Sequence, residues 1–371
     1  MDGELSAARL LPPAIASLIG DDAAFRVAAA QRADGSIMAD RIELRVAAAR
    51  VDGFANIGAG STGALGGEVR VDVEDLGKLS SLLGRPATGS ATLALTAAGT
   101  RAKPSLTATL DGHGWRLADR RVDRIATQFV ASTTAALDDP AARVAFSGDG
   151  QAAGIVAAGV PSDEQASWRV AGSSSVDGRA LEITEFVVDG LGVTLTASGT
   201  ADRNKQTAAA ELHLAASDLS RLDGLTGQKL AGNGAINAML SGEASGSATV
   251  KISGGLHEFV TGVPMADALL GGRITLDVTG RRTASGDVSV EDANVEAANL
   301  RLVSKGSSDV SGDRTEGSFA LELPRLDVLS TEGRSVVGRA RLEGTISGSA
   351  SAPELNAVLD TEDARAGEMR L

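Results

Sequence analysis

The stretch Gly67-Glu-Val-Arg-Val-Asp-Val-Glu74 decides the fold class of this protein. Val69, Val71 and Val73 alternate with charged residues. Successive side chains of a β-strand point to opposite faces of the sheet, so this pattern predicts a strand with one apolar and one polar side. One-sided strands are typical of antiparallel sheets, because the parallel strands of α/β proteins are apolar on both faces.

The same alternation recurs along most of the chain. It predicts an all-β fold, an elongated and curved antiparallel β-sheet array with a few short helices, continuous over residues 1–371. We expect the apolar members of the pattern to line one inner face. With the three valines above, these candidate lining residues are Ile42, Leu44, Val46, Leu93, Leu95, Leu106, Leu110, Leu181, Ile183, Val193, Leu195, Leu212, Leu214, Ile274, Leu276, Val278, Val288, Val290, Leu300, Leu302, Phe319, Leu321 and Leu323.

Three segments carry the signals of short helices. Residues 75–84 begin with an aspartate suited to the N-cap, place leucines on one face and end in glycine. Residues 13–20 begin with proline in the first turn. Residues 264–271 follow the same rules, with Pro264 at the start and Gly271 at the end.

The composition narrows the range of functions. Aromatic residues make up 2% of the chain, tyrosine is absent and glycine numbers 45, which suits short strands and tight turns rather than a core filled by aromatic side chains. The formal charge of −13 disfavours nucleic-acid binding. Because the chain has no cysteine, disulfides, thiolate nucleophiles and zinc–thiolate sites are excluded. We expect no cofactor and no metal.

An internal repeat is the most informative feature of the chain. Three glycines and a proline at intervals of 5, 10 and 5 residues occur twice, as Gly84, Gly89, Gly99 and Pro104 and as Gly333, Gly338, Gly348 and Pro353. A third copy has Gly227, Gly232 and Gly242, with Ser247 in place of the proline. We expect degenerate repeat units that begin near residues 75, 218 and 324.

The repeat segments carry a family likeness. The run Asp218-Leu-Ser-Arg-Leu-Asp-Gly-Leu-Thr-Gly-Gln-Lys-Leu-Ala-Gly-Asn-Gly-Ala-Ile resembles the recurrent unit of TamB/AsmA-like proteins, the inner-membrane-anchored subunits of translocation and assembly modules. Residues 75–95 resemble the same unit, residues 10–20 resemble the family's short helix between strand blocks, and residues 180–190 resemble one of its strand pairs. Each motif is degenerate, and the specificity of the resemblance lies in their combination and order over nearly the whole chain.

The resemblance implies a β-groove, or "taco", protein in the envelope of a Gram-negative bacterium. Such proteins are implicated in outer-membrane biogenesis and in phospholipid transport between the membranes, and they work with an outer-membrane Omp85-type barrel. The implied partners are phospholipid acyl chains or nascent outer-membrane β-strands. The family's membrane anchor and C-terminal domain are not recognisable here, so contact with the barrel is expected to lie outside this chain.

The start of the chain leaves two alternatives, a cytoplasmic protein or a fragment of a longer exported protein, and the end of the chain favours the fragment. Residues 1–5 have neither the basic nor the apolar region of a signal peptide, and no apolar run reaches the roughly 20 residues that cross a bilayer. Residues 363–371 read as a strand that has just begun. We therefore expect a periplasmic, internal piece of an inner-membrane-anchored protein, without a transmembrane segment of its own.

Catalytic and ligand-binding motifs are weak. His113, His213 and His257 have no metal-ligand spacing, and we expect them on the polar surface. Trp115 and Trp168 are more typical of sheet packing than of a ligand site. The turns at 111–114 and 148–150 lack the aspartate series of a calcium loop, and the glycines of 58–63 lack the lysine of a phosphate loop.

An apolar sheet face must be covered or must form a trough. The predicted helices are too few and too short to cover this one, so the sequence favours a non-enzymatic trough for acyl chains. One competing interpretation is a structural β-helix or adhesin-like surface protein, although the asparagine series common in such turns is missing. A carbohydrate-active enzyme on a β-scaffold is a third, disfavoured by the scarcity of tryptophan and tyrosine.

Overall fold

The computed structural model describes residues 2–5, 23–80, 84–118, 120–137, 139, 141–156, 164–243, 246–330, 335–366 and 369–370. These residues fall into two units, Met1–Leu191 and Gly192–Leu371. The predicted all-β class is confirmed, because the strands form curved, unclosed antiparallel sheet and helices are few and short.

The described residues of unit 1 form eleven strands, each antiparallel to the next along the chain. The strands are β1 Asp2–Leu5, β2 Ala23–Gln31, β3 Ile37–Arg45, β4 Arg50–Ile57, β5 Leu65–Val73, β6 Ala87–Gly99, β7 Pro104–Leu117, β8 Arg120–Thr133, β9 Arg143–Ile155, β10 Glu164–Ser175 and β11 Ala180–Gly190. The stretch that decided the fold class therefore lies in β5, with β4 and β6 on its two sides.

In unit 2 the part of the chain that the structure describes also forms eleven strands, paired in the same consecutive antiparallel manner. The strands are β12 Val193–Asp202, β13 Thr207–Ala216, β14 Ala231–Glu243, β15 Ala248–Val260, β16 Arg273–Arg282, β17 Val288–Ala297, β18 Leu300–Ser308, β19 Thr315–Leu323, β20 Val336–Ser349, β21 Ala352–Ala366 and β22 Met369–Arg370.

Short helical segments interrupt the described strands at two of the predicted places and at two places, 219–226 and 327–329, where no helix was predicted. They are the 3-10 helices Leu76–Leu79, Leu219–Leu222 and Asp327–Leu329 and the α-helices Asp223–Thr226 and Pro264–Leu270. The predicted helix at 264–271 is confirmed, with Gly271 in the left-handed conformation at its C-cap. The one predicted at 75–84 begins as expected, because the Asp75 carboxylate accepts a 2.7 Å hydrogen bond from the backbone N–H of Gly77.

Two of the helix predictions reach beyond the described residues. Residues 81–83 and the predicted helix at 13–20 lie outside them. At the other end of the chain, residues 363–366 complete the long strand β21, which begins at Ala352, and Met369–Arg370 form the separate strand β22. The interpretation of 363–371 as one strand that has just begun was therefore wrong.

The repeated glycines have a shared backbone role. Gly89, Gly232 and Gly338 have φ values of 115°, 108° and 109°, and the register of each strand shifts at that glycine. Three partner-strand residues opposite these bulges also have positive φ, namely Gly114, Glu258 and Asp363, with values of 60°, 52° and 52°. The three copies therefore form the same bulged hairpin, with a positive-φ glycine on one strand and a positive-φ residue opposite it on the partner strand.

Neither unit has a filled interior among the described residues. No large side chain there is fully buried, and the buried apolar residues are mostly alanines. The exceptions are Leu219 and Leu326, in or beside the short helices. The sheet is therefore a single layer over the described part of the chain.

Candidate functional site

Strand register in unit 1 places apolar residues side by side in rows that cross the sheet. One row runs through Phe25, Leu44, Val51, Val71, Leu93, Leu110, Thr127, Gly150, Trp168 and Val188. The next row on the same face runs through Val27, Ile42, Gly53, Val69, Leu95, Ala108, Phe129, Gly148, Val170 and Phe186. We call this surface the apolar face of unit 1.

The opposite face of unit 1 is polar. Its corresponding row runs through Arg26, Glu43, Asp52, Arg70, Ala94, Thr109, Gln128, Asp149, Arg169 and Val187. The register aligns the apolar residues of neighbouring strands on one face and most of the polar residues on the other. The charged side chains are thereby separated from the apolar ones.

Unit 2 has an apolar face of the same kind, with longer side chains. One row runs through Leu195, Leu214, Ile236, Gly254, Leu276, Val295, Leu302, Leu321, Leu342 and Leu359. The opposite face carries the row Thr196, His213, Asn237, Ser253, Asp277, Asn294, Val303, Ala320, Glu343 and Val358. The first row contains no ionisable residue.

Two β-bulges keep predicted lining residues on the apolar face. In β11, Glu185 pairs with Ala171 and Ile183 pairs with Gly172, so Thr184 is skipped. In β17, a register shift likewise skips Glu291. Because an extra residue reverses the face of every residue beyond it, these bulges bring Leu181 and Ile183, and Val288 and Val290, onto the apolar side.

The structure places the predicted lining residues on the apolar face of their unit, with one exception. Val46 lies beyond the end of β3, in a tight turn where it exchanges backbone hydrogen bonds with Ala49. The alternating pattern continued one position past the strand, so the prediction of Val46 as a strand residue was wrong. The lipid-binding role assigned to these residues stays a prediction.

The apolar faces are open to solvent. Leu44 is 36% exposed, Phe129 39% and Leu214 40%, and no second layer covers them among the described residues. Exposed apolar patches larger than a few hundred Å² are rare on soluble monomers and usually mark an interaction site. The arrangement can bind an extended apolar ligand without fixing it by hydrogen bonds.

Aromatic rings lie over glycines of their own strand or of a neighbouring strand. A Cβ atom added to Gly112 would lie 2.6 Å from Cε2 of Trp115, and one added to Gly344 would lie 2.6 Å from Cζ of Phe319. The Trp168 ring fills the same position over Gly150. Both tryptophans therefore pack on the sheet, and Trp115 also donates a 2.7 Å hydrogen bond to the Ser90 carbonyl.

Arginine–carboxylate pairs cover part of the polar face. The Arg70 guanidinium donates to the Asp72 carboxylate at 3.0 Å, and the Thr92 hydroxyl donates to Asp72 at 2.7 Å. These two hydrogen bonds, that of Arg70 first, hold the pKa of Asp72 below its usual value. The Arg50 side chain lowers the pKa of Asp52 in the same way. These pairs are solvent-exposed and organise the surface rather than a reaction centre.

The histidines lie on strands and outside any metal site of the described residues. The His213 Nδ1 atom is 2.6 Å from Oδ1 of Asn237 on the polar face, and the His113 Nε2 atom is 2.9 Å from Asp111. Among described residues no group of histidines and carboxylates could hold a metal ion.

A concavity of about 970 Å³ lies on the polar face of unit 2. Its lining residues include Ser304, Lys305, Phe319, Glu343 and Gly344. The apolar row of Leu276 does not contribute to it. The two faces of this unit therefore offer chemically distinct surfaces, one open and apolar and one indented and charged.

Comparison with protein-family models, with curated proteins and with solved structures finds no match to this chain. Within the described residues, none of the helices has the length and apolar character needed to span a membrane.

Proposed function

We propose that this chain is a non-enzymatic β-groove segment whose apolar faces bind the acyl chains of phospholipids. The observation that carries the proposal is the uninterrupted apolar row of unit 2, from Leu195 to Leu359, backed by a row on the opposite face that is polar on most strands. The corresponding rows of unit 1 support the same function.

The chemistry of the rows suits a mobile apolar ligand. Burial of an acyl chain is worth about 0.8 kcal/mol per CH₂ group. Ten strands spaced about 4.8 Å apart give a row of roughly 40 Å within a unit, which is longer than one acyl chain. Because no ionisable side chain stands in the row through Leu276, no strong polar contact would hold a lipid at one position.

The cellular role proposed for this segment follows from its resemblance to TamB/AsmA-like proteins. We assign the chain to the periplasm, as part of an inner-membrane-anchored protein that supports outer-membrane biogenesis by phospholipid transport between the membranes. Nascent outer-membrane β-strands are the second cargo that an open apolar sheet of this kind could take. The bulged hairpins repeated at Gly89, Gly232 and Gly338 support a repeat array of this type.

A structural β-helix is less well supported as the alternative. Every strand pair among the described residues is antiparallel, whereas the coils of a β-helix stack their strands in parallel. An adhesin-like surface protein would also have no use for an apolar face that stays open.

Mass spectrometry of lipids that co-purify with the native chain tests the proposal. We expect bound phospholipid, and we expect a marked loss in a variant carrying Leu214→Asp and Leu302→Asp. The matched control carries His213→Asp and Val303→Asp, which add the same charges on the opposite face of the same strands. A lipid-free chain, or equal lipid on both variants, would contradict the proposal.

A further inference from the structure

The outer end of the β7–β8 hairpin is a basic patch on an acidic chain. It carries Arg116, Arg120 and Arg121, all of them exposed, on a chain whose formal charge is −13. The strand register pairs Arg116 directly with Arg121, and Leu117 with Arg120. Like charges directly opposite each other destabilise a sheet, so the arginine pair lowers the stability of the hairpin. We call Arg116, Leu117, Arg120 and Arg121 the basic hairpin end.

Described carboxylates neutralise only part of this positive charge. The Arg121 guanidinium donates a hydrogen bond to the Asp123 carboxylate. Arg116 and Arg120 make no salt bridge with a described residue. Arg85, which is also exposed, lies just before β6, whose first residue pairs with the basic hairpin end. The guanidinium groups of Arg116 and Arg120 are therefore accessible to an anionic ligand.

The apolar face of unit 1 reaches this hairpin end. Gly112 lies two positions beyond Leu110 of the apolar row, and therefore on the same face of β7. The Trp115 ring covers Gly112 beside the side chain of Ile125, and Leu117 beyond it is 39% exposed. Tryptophan suits a boundary between apolar and polar surface, because its large ring is apolar and its N–H group is polar.

A phosphate group linked to acyl chains is the ligand that suits this boundary. Guanidinium groups present planar N–H donors whose geometry matches phosphate oxygens. The apolar surface beside them accepts the acyl chains of the same molecule. A nucleic acid or an acidic polypeptide would use the arginines alone, and the net negative charge of the chain would repel it.

We propose that the basic hairpin end binds the phosphate of a phospholipid whose acyl chains lie on the apolar face of unit 1. This inference rests on the proposed function and adds a headgroup site to it. Arg116 and Arg120 bind the phosphate, and the Trp115 ring contacts the acyl chains where they meet the headgroup. A lipid is held at this end of the strands, whereas the row through Leu276 in unit 2 contains no ionisable residue.

Titration of the full chain with short-chain lipids, followed by tryptophan fluorescence, tests this site. Both tryptophans of the chain, Trp115 and Trp168, lie in unit 1, so the signal reports binding in that unit. The probe is monomeric dihexanoyl phosphatidic acid, and its comparison lipid, dihexanoylglycerol, lacks the phosphate. We expect the phosphatidic acid to bind about tenfold more tightly. Glycerol 3-phosphate, which lacks the acyl chains, should not displace it at equal concentration.

Neutralisation of the two arginines makes the test specific. Arg116→Gln with Arg120→Gln should weaken phosphatidic acid about tenfold and leave dihexanoylglycerol unchanged. The control variant carries Arg101→Gln and Lys103→Gln, which remove the same charge from exposed positions at the opposite end of β7, and should bind as the parent does. Urea unfolding of both variants should match the parent, because neither pair of substitutions removes a salt bridge between described residues.

Three outcomes would overturn the headgroup site. They are equal affinity of the parent for the two lipids, equal weakening by the two variants, and displacement of phosphatidic acid by glycerol 3-phosphate or by a peptide of ten glutamates. Displacement by one of these competitors would identify a free phosphate ester or an acidic polypeptide as the ligand.

The same titrations distinguish failure of the headgroup site from failure of the proposed function. If only the headgroup site is wrong, the parent still binds dihexanoylglycerol and still co-purifies with phospholipid. If acyl-chain binding itself is wrong, the parent binds no dihexanoylglycerol.

Discussion

The indole ring of Trp168 in β10 lies over Gly150, its direct partner in β9, in the space that a side chain at position 150 would occupy. The ring is half-buried on an otherwise open apolar face, and the glycine lets it lie close to the backbone. Phe146 over Gly172 and Phe319 over Gly344 repeat the arrangement. Glycines in these strands therefore leave room for aromatic side chains to pack against the backbone of the sheet.

Gly150→Ala should destabilise unit 1 by about 1–3 kcal/mol, because the added methyl group overlaps the Trp168 ring. Gly66→Ala is the matched control, since the space around Gly66 is empty within 4 Å and alanine there should have a small effect. Urea unfolding measures both. The double variant with Trp168→Ala should show a smaller penalty for the alanine at 150. If Gly150→Ala lowered the unfolding free energy as much in the Trp168→Ala variant as in the parent, overlap with the Trp168 ring would not be the cause.

Gly232→Ala should be more destabilising than Gly227→Ala, although both glycines belong to the same repeat copy. Gly227 has φ +69° and no atom within 4 Å of an added Cβ, so alanine there bears only the left-handed backbone strain of about 1–2 kcal/mol. Gly232 has φ +108°, and its Cβ would lie 2.7 Å from the Glu258 carbonyl oxygen. Equal midpoints of urea unfolding for the two variants would show that the bulge has room for a side chain.

Alternation in the sequence predicted the strands and their two faces because period two is a local property. The alternation of Val69, Val71 and Val73 predicts a strand without any information about which strands lie beside it. The bulges at Thr184 and Glu291 were not predicted, since register depends on the partner strand. The packing of Trp168 over Gly150 was not predicted either, because it depends on which residue of the partner strand lies opposite the tryptophan. The repeated glycines were recognised by spacing, but the positive φ at Glu258 opposite Gly232 has no sequence signature.

Acid should weaken unit 1 in part through Asp72. Hydrogen bonds from Arg70 and Thr92 lower its pKa in the folded state, so the ionised form stabilises the fold above the unfolded-state pKa of about 3.9. That stabilisation is lost as the pH falls through the lowered folded value. Asp72→Asn should therefore reduce the drop in unfolding free energy between about pH 6 and pH 2.

The matched control for the acid experiment is Asp277→Asn, at a carboxylate without a salt bridge to any described residue. Urea titrations across the pH range measure both variants against the parent. If the unfolding free energy of Asp72→Asn fell on acidification by as much as that of the parent, the hydrogen bonds of Asp72 would not contribute to the acid sensitivity of unit 1.

Photo-crosslinking should assign the two faces to different environments. Crosslinkable residues at Val71, Leu195, Leu276 and Leu321 stand on the apolar faces, and we expect them to label phospholipid. The same probe points to the polar side when it replaces Asp72, Thr194, Asp277 or Glu322. At these four positions it should not label phospholipid. Mass spectrometry of the adducts measures both sets. Equal labelling would show that lipid does not distinguish the faces.

Leu276→Asp should interrupt lipid passage while leaving most of unit 2 folded. Leu276 lies in the apolar row between Gly254 of β15 and Val295 of β17. A carboxylate there keeps its hydration only if an apolar ligand stays away, because desolvating a charge costs several kcal/mol. Each strand contacts mainly its two neighbours, so damage should remain local.

Transfer of a fluorescent phospholipid between vesicles, measured with the purified chain, tests this effect. The control is Thr275→Asp, which adds the same charge on the adjacent residue of β16 but on the polar face. We expect transfer to fall by about tenfold or more in Leu276→Asp, a change of ~1.4 kcal/mol, and to stay near the parental rate in Thr275→Asp. Hydrogen exchange on β19 and β20 should match the parent in both variants, which separates a blocked row from an unfolded unit. If a folded Leu276→Asp chain transferred phospholipid at the rate of the parent, the proposal that acyl chains bind along this apolar row would be contradicted.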